Sequence, residues 1–333
     1  MSDRLSEAID EVLLDRLLRA RGPVRIDALC DDLGWSPIDV QTGLEKLRLA
    51  GCVLEIAPMG TASLLTSHID VWSRFIRWAT DAHRLVHVLP RTSSTQGVAR
   101  QLIEEHGSKA DGAVAVADEQ SAGRGRIGRT WKSPAGTGVL FSFARVTENS
   151  DPGPTADQLL FATSVAVAQG IDDSLEPSPL HVQIKWPNDL LVDGRKIGGI
   201  LVETFNLPLS GRRAAVIGIG INVDLTAEQL THMAPELTGP VTSVVMCGRR
   251  VDRLHLLTAV LRRVDAAFEL GDPGSLLAEW RRRSVLLSRQ VQLRHDGREL
   301  RGQVIDLDPG EGLIVQTDTG AVVHLPGATT TIQ

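Results

Sequence analysis

Apolar positions recur at helical spacing through the first fifty residues. Ile9, Leu13 and Leu17 share one face, and Ile26, Leu29, Cys30 and Leu33 form a second, shorter stripe that Gly34 ends. Ser36 and Pro37 supply the N-cap and first turn of a third helix, whose Val40, Leu44 and Leu47 face one side as far as Gly51. The period then drops to two: residues 52–56 and 63–66, around Pro58-Met59-Gly60, predict a hairpin. Three helices and a wing predict a winged helix-turn-helix over residues 1–67. Between residues 68 and 284 strand and helix patterns alternate. Residues 113–117, 139–143, 182–185, 197–204 and 214–221 read as strands, and 158–169 and 254–270 as helices. This alternation predicts an α/β domain with a mixed sheet covered on at least one face by helices. Over residues 285–333 the pattern becomes short alternating strands at 291–294, 300–306, 312–317 and 321–325, with Asp-Gly and Asp-Pro-Gly turns between them. A small SH3-like β-barrel is the simplest closure.

Composition narrows the class. The 333 residues are 42% hydrophobic and 23% charged, ordinary for a globular protein large enough for two or three domains. The chain contains no long uncharged apolar run, and Met1-Ser-Asp-Arg lacks a signal-peptide layout, so no membrane partner and a cytoplasmic location are expected. Cys30, Cys52 and Cys247 are odd in number and form no CxxC pair, which fits reduced structural thiols. Net charge is −6, and residues 1–67 carry 7 basic against 11 acidic side chains, a poor balance for phosphate contacts. The third helix offers Ser36, Gln41, Thr42 and Lys46 to DNA, but the same scaffold serves packing or dimerisation equally well.

Four segments of the middle domain carry candidate chemistry. The first is Ser93-Ser-Thr-Gln96, hydroxyls and an amide after a strand at 85–89. The second runs from Glu119 and Gln120 into GRGRIGR over residues 123–129, then Trp131 and Lys132. Arginine forks suit phosphate or carboxylate oxygens, and glycine lets the main chain approach them. The third is KWPND over residues 185–189, a cation at a strand end before a rigid turn. The fourth is KIGGILVE over 196–203, echoed by GIGIN over 218–222. Each alone also fits a structural role: hydroxyl clusters cap helices, Trp-Pro-Asn-Asp makes a turn, and strand glycines permit close packing.

In this order and spacing the segments SSTQ, EQSAGRGRIGRTWKSP, KWPNDL, GRKIGGILVE and GIGINV resemble the biotin–protein ligases, in the bifunctional class of the biotin operon repressor. The resemblance spans almost the whole chain. It implies an ATP-dependent enzyme that makes biotinoyl-5′-AMP and passes biotin to a lysine of the biotin carboxyl carrier protein of acetyl-CoA carboxylase. Biotin is then substrate, ATP and Mg²⁺ are needed, and a homodimer and operator DNA are further partners. By resemblance Ser94, Thr95, Gln96 and Gln120 bind the ureido head, where an unpaired polar group costs about 1–3 kcal/mol. Arg124, Gly125 and Arg126 cover the biotin tail and the adenylate phosphate. Lys185 meets the carboxylate and α-phosphate, and Gly199 and Gly220 form the floor. Arg129, Trp131, Asn188 and Asn222 join the adenylate set, Asp189 the metal or phosphate, and Lys196 the activated carbonyl. The catalytic set is Lys185, Arg124 and Arg126. The glycine-rich loop is expected to be mobile without ligand and ordered with it.

Three departures from the family pattern matter. Ile127 stands where the familiar repressor has arginine, Gln96 replaces asparagine, and the adenine-covering loop at 224–240 has no tryptophan, leaving His232 or Met233 to stack. These leave ligation intact as an expectation while weakening ligand-coupled dimerisation and repression. Two other readings stand beside it: a biotin-sensing DNA-binding repressor with little or no ligase activity, and a ligase for lipoate or another acyl acid.

Overall fold

A computed structural model describes residues 2–20, 22–58, 60–147, 153–207, 212–233, 239–269 and 272–332, with the side chains of residues 2–10 outside that description. The Ile9 side chain, Met59, residue 270 and part of the loop at 224–240 therefore lie outside the described residues.

The N-terminal segment comprises α1 (Ser2–Ala20), β1 (Val24–Arg25), α2 (Ile26–Leu33), α3 (Pro37–Leu49), β2 (Val53–Ala57) and β3 (Thr61–Thr66), with strand order β1-β3-β2. Ser36 caps α3 as expected. Its hydroxyl accepts Asp39 N–H, and the Asp39 carboxylate accepts the Ser36 N–H in return. Leu13, Leu17, Leu29, Val40, Leu44 and Leu47 are buried together, so the helical stripes face one core.

The middle segment comprises α4 (Ile69–Ala79), β4 (Val86–Thr92), α5 (Thr95–His106), β5 (Val114–Gln120), β6 (Gly138–Val146), α6 (Ala156–Ser174), β7 (Gln183–Lys185), β8 (Asp189–Val192), β9 (Arg195–Asn206), β10 (Arg213–Asn222), α7 (Ala227–Met233), α8 (Arg253–Glu269) and α9 (Pro273–Arg283). Seven strands form one mixed sheet in the order β4-β5-β6-β10-β9-β8-β7, with only β4 and β5 parallel. Its central strands are apolar almost without interruption because both faces are covered. Val116, Phe141, Ile217 and Ile219 belong to the core shared with α6 and α8. On the other face Ala115, Ala144 and Val216 pack with Ala99, Leu102 and Ile103 of α5. Helix α5 covers only part of that face, and further along β9 and β10 the side chains shrink to glycine.

The chain ends in β11 (Gln290–His295), β12 (Arg298–Asp308), β13 (Gly312–Thr317), β14 (Val322–Leu325) and β15 (Thr330–Ile332), an antiparallel sheet in the order β14-β13-β12-β11-β15. Four of these strands match the sequence pattern. The fifth spans three residues, too short for an alternation to register. Ser67 N and Oγ each donate to Asp252 at 2.7 Å, which ties the N-terminal segment to the middle one, and within the middle segment Arg283, buried, binds Asp172 at 2.6 Å and Val182 O at 2.7 Å.

Candidate active site

The uncovered glycines of β9 and β10 form the floor of a cavity of about 840 Å³. Gly220 pairs with Gly199 and Leu140 across the sheet, and Gly218 pairs with Leu201 and Ser142. Residues two apart on a strand share a face, so Gly218 and Gly220 present one smooth track. The indole of Trp131 lies directly on this floor. A Cβ at Gly220 would stand 2.6 Å from Trp131 Cε2, and one at Gly199 3.2 Å from Cζ3. Gly218 is covered in the same way by the Gln96 amide.

The first turn of α5 builds one wall. Thr95 N and Oγ1 both donate to Gln120 Oε1, at 2.8 and 3.2 Å, and Thr95 Oγ1 lies 2.8 Å from Ser142 Oγ. Gln96 Nε2 donates to Leu201 O at 3.0 Å, while its buried Oε1 has no partner among the described residues. The Trp131 indole Nε1 is likewise buried and unpartnered. An acceptor and a donor, both desolvated, thus flank one glycine floor. Such atoms cost free energy until a ligand meets them.

The glycine–arginine loop forms the roof. Trp131 N donates to Gly123 O at 2.9 Å and Gly125 N to Arg129 O at 2.7 Å, which closes residues 123–131 into a small hairpin. Arg124 pairs with Glu203 on β9 at 3.0 Å. Arg126 turns the other way, donating to Asn188 Oδ1 at 3.3 Å, to Thr330 O at 3.3 Å and to Gly327 O. Burial pushes the Arg126 guanidinium below its ordinary pKa, with Asp189 and Asp157 opposing that shift.

The far wall is the 185–189 turn. Asn188 Nδ2 donates to Ile200 O at 3.2 Å, which docks the turn on β9. Lys196 pairs with Asp189 at 2.5 Å and stands 5.6 Å from the Trp131 ring centre. Lys185 is half-buried on the cavity wall, and its ammonium has no ion pair or hydrogen bond among the described residues. Asn222, buried, donates to Thr242 O at 3.1 Å. Met233 lines the cavity, whereas His232 is exposed and bonds back to Glu228 O. Among the described residues no group of three or more His, Cys, Asp or Glu side chains could hold a metal ion.

Apart from His232, every residue given a site role in the middle segment lines this one cavity. The DNA-facing candidates lie apart from it on α3. Ser36 is committed to its cap, Thr42 Oγ1 donates to Ile38 O at 2.8 Å, Gln41 is exposed and Lys46 half-buried. Three contributors carried no sequence signal: Ser142, whose role depends on strand register, and Thr331 and Ile332 at the chain's end. Among the described residues no helix is long and apolar enough to cross a membrane.

Residues 88–224 match the model of the biotin/lipoate A/B protein ligase family. The chain is 30% identical over 303 residues to the bifunctional ligase/repressor BirA of Bacillus subtilis (strain 168), an alignment covering 88% of this chain and 89% of that protein. It is 31% identical over 244 residues to the biotin–[acetyl-CoA-carboxylase] ligase of Paracoccus denitrificans, covering 72% of this chain and 98% of that one. Among solved structures, the biotin protein ligase from Aquifex aeolicus in complex with biotin and ATP aligns with a TM-score of 0.58 and 25% identity, over 75% of this chain and 98% of that one. The chain is a ligase and belongs to the biotin–protein ligase family.

Proposed function

We propose that the protein activates biotin with ATP and transfers it to a lysine of a biotin carboxyl carrier domain, that of acetyl-CoA carboxylase. In the first step a biotin carboxylate oxygen bonds to the α-phosphorus, and the α–β phosphoanhydride bond breaks to release pyrophosphate. In the second the carrier lysine amine attacks the acyl carbonyl, AMP leaves, and the amine proton passes to solvent.

The observation that carries this reading is Lys185. Three lysines line the cavity; Lys132 has contacts of its own and Lys196 is neutralised by Asp189, while the Lys185 ammonium has no partner among the described residues. In the first step negative charge gathers on the α-phosphate, and in the second on the acyl carbonyl oxygen and the departing AMP phosphate, so a fixed ammonium between them lowers both barriers. Removing such a group costs about 10²–10³ in rate. The cavity volume of about 840 Å³ falls within the range of small-molecule sites. In this reading Ser94, Thr95, Gln96 and Gln120 satisfy the ureido head, whose donors and acceptor suit the Gln96 oxygen and the Thr95–Gln120 cluster. Gly199 and Gly220 leave room for the bicyclic ring, and Trp131 moves with the loop to cover it. Arg124, Gly125, Arg126 and Arg129 surround the phosphate side, with Asn188 and Asn222 at the nucleotide. Magnesium comes with the nucleotide phosphates, because Asp189 is already shared with Lys196.

Residues 1–67, 68–284 and 285–333 then divide as a winged helix, the catalytic domain and an SH3-like barrel. A second role as a biotin-responsive repressor is favoured by one observation. The alignment with the Bacillus subtilis ligase/repressor covers 88% of this chain, far more than a catalytic domain alone would supply.

The test is biotin transfer to a purified carrier domain, with Lys185→Ala beside the wild type. ATP-dependent labelling that collapses in the variant is expected. A wild type that binds biotin yet labels nothing would leave only the sensor reading. Anisotropy with palindromic operator DNA, with and without biotinoyl-AMP, decides the repressor role.

A further inference from the structure

The guanidinium of Arg126 is held by the C-terminal sheet. Its acceptors are Gly327 O, Thr330 O and Asn188 Oδ1, all neutral, so the cation keeps its full charge while losing its freedom. The turn that supplies two of them is itself anchored from the opposite side. Gly327 N donates at 3.1 Å to Asp157 Oδ2, in the first turn of α6. The fit around Gly327 leaves no room. A Cβ there would stand 2.8 Å from Asp157 Oδ1, 3.3 Å from Pro187 Cβ and 3.6 Å from Trp186 Cζ2. Thr330 is fully buried, and its hydroxyl lies 3.0 Å from His295 Nδ1. Loop, 185–189 turn, helix α6 and C-terminal sheet therefore meet at one arginine.

We infer that Asp157 and the turn carrying Gly327 and Thr330 are positioning elements for the site. They clasp the 123–131 loop through Arg126 and so set how firmly that loop closes over an anionic ligand. The chain of contacts is linear: Asp157 orients the Gly327 peptide, the Gly327 carbonyl orients Arg126, and Arg126 fixes the loop relative to Asn188. None of the clasp residues beyond Arg126 and Asn188 need touch substrate. The consequence for catalysis rests on the ligase reading above, but the clasp itself does not.

Two measurements on the full-length protein test this. The first is subtilisin cleavage within residues 121–131 in the absence of ligand. Asp157→Ala and Gly327→Ala are each expected to speed cleavage about tenfold, as does Arg126→Ala. Asp157→Asn, which keeps an acceptor oxygen, restores protection. The second is biotin-dependent pyrophosphate release. Asp157→Ala is expected to raise the KM for ATP about tenfold with the Kd for biotin unchanged, and Asp157→Ala/Arg126→Ala is no worse than Arg126→Ala alone, because the two act in series. A merely structural role for Asp157 would lower the Tm and add its full effect to that of Arg126→Ala. Unchanged cleavage in both Asp157→Ala and Gly327→Ala, or a fully additive double variant, overturns the inference. If the wild type releases no pyrophosphate, the ligase reading fails and the cleavage rates alone decide the clasp.

Discussion

Asp189 and Lys196 close an ion pair of 2.5 Å between the start of β8 and β9, both about one-third exposed, at the wall where nucleotide phosphates are expected. The pair is a neutral unit beside a cationic loop. Removing only the lysine leaves a carboxylate facing incoming phosphate. At the effective dielectric of a partly exposed site, two charges about 4 Å apart repel by about 1–4 kcal/mol. Lys196→Ala should therefore raise the KM for ATP by at least tenfold, and Lys196→Ala/Asp189→Asn should recover most of that loss. Pyrophosphate release at varied ATP reads both. A double variant as impaired as Lys196→Ala alone would mean that the ammonium itself, and not the balance of charge, is what matters.

Trp131 rests on Gly220 so closely that no side chain fits between them. A bicyclic ligand on the same floor must displace or lift the indole. Ligand binding should consequently change the tryptophan fluorescence, and Trp131→Phe should lose most of that change although five other tryptophans remain. Gly220→Ala should weaken biotin binding by about tenfold or more, because the new methyl takes up floor space in both the free and the bound state. Isothermal titration of biotin into each variant checks this. Undiminished affinity in Gly220→Ala would place the bicyclic ring elsewhere in the cavity.

Much of this site is legible in the sequence, because its parts are local. A hydroxyl pair at a helix start, a glycine–arginine loop and a Lys-Trp-Pro-Asn-Asp turn each signal themselves within a few residues. What brings them together is not local. Ser142 reads as one residue of an apolar strand, and only the register of β6 against β10 sets it under Thr95. Glu203 becomes the counter-ion of Arg124 because β9 extends past the cavity, which no periodicity reveals. Asp157, Gly327 and Thr330 are the extreme case. The Arg126 contacts to Gly327 and Thr330 span 201 and 204 residues, and the Thr330 acceptor is a backbone carbonyl that has no side-chain signature at all. The N-terminal helices were readable for the opposite reason: their stripes and the Ser36-Pro37 start are properties of consecutive turns.

Ile127 occupies the left-handed region, with φ 56° and ψ 44°, and its side chain is 68% exposed. A β-branched residue there costs about 1–3 kcal/mol with no burial to offset it. Asparagine accepts this conformation far more readily. Ile127→Asn should slow hydrogen exchange of the 123–131 amides by about fivefold, equivalent to about 1 kcal/mol of loop stability. Global unfolding should hardly move, since the loop contributes little to the core. Faster exchange in Ile127→Asn would show that the isoleucine side chain holds the loop by contacts that outweigh its strain.

Within α9 Glu279 accepts from Arg282 and from Arg283, and so braces the same Arg283 whose buried guanidinium joins the helix to Asp172. The hydrogen bond from Arg282 is the main reason its carboxyl falls to about 2, with Arg283 adding to the shift and burial opposing it. A carboxyl depressed in the folded state stabilises the protein once pH exceeds its unfolded value near 4.3, and that contribution disappears as pH falls toward 2. Wild type should therefore lose stability between about pH 5 and pH 2 more steeply than Glu279→Gln, which cannot titrate. At pH 7 the variant should be less stable by about 1 kcal/mol, or roughly 0.5 M in urea midpoint, and at pH 2 the two should nearly coincide. Urea unfolding across this range, followed by far-UV circular dichroism, reads the difference directly. Parallel curves for the two proteins would mean that the α9 anchor rests on the Arg283–Asp172 pair alone.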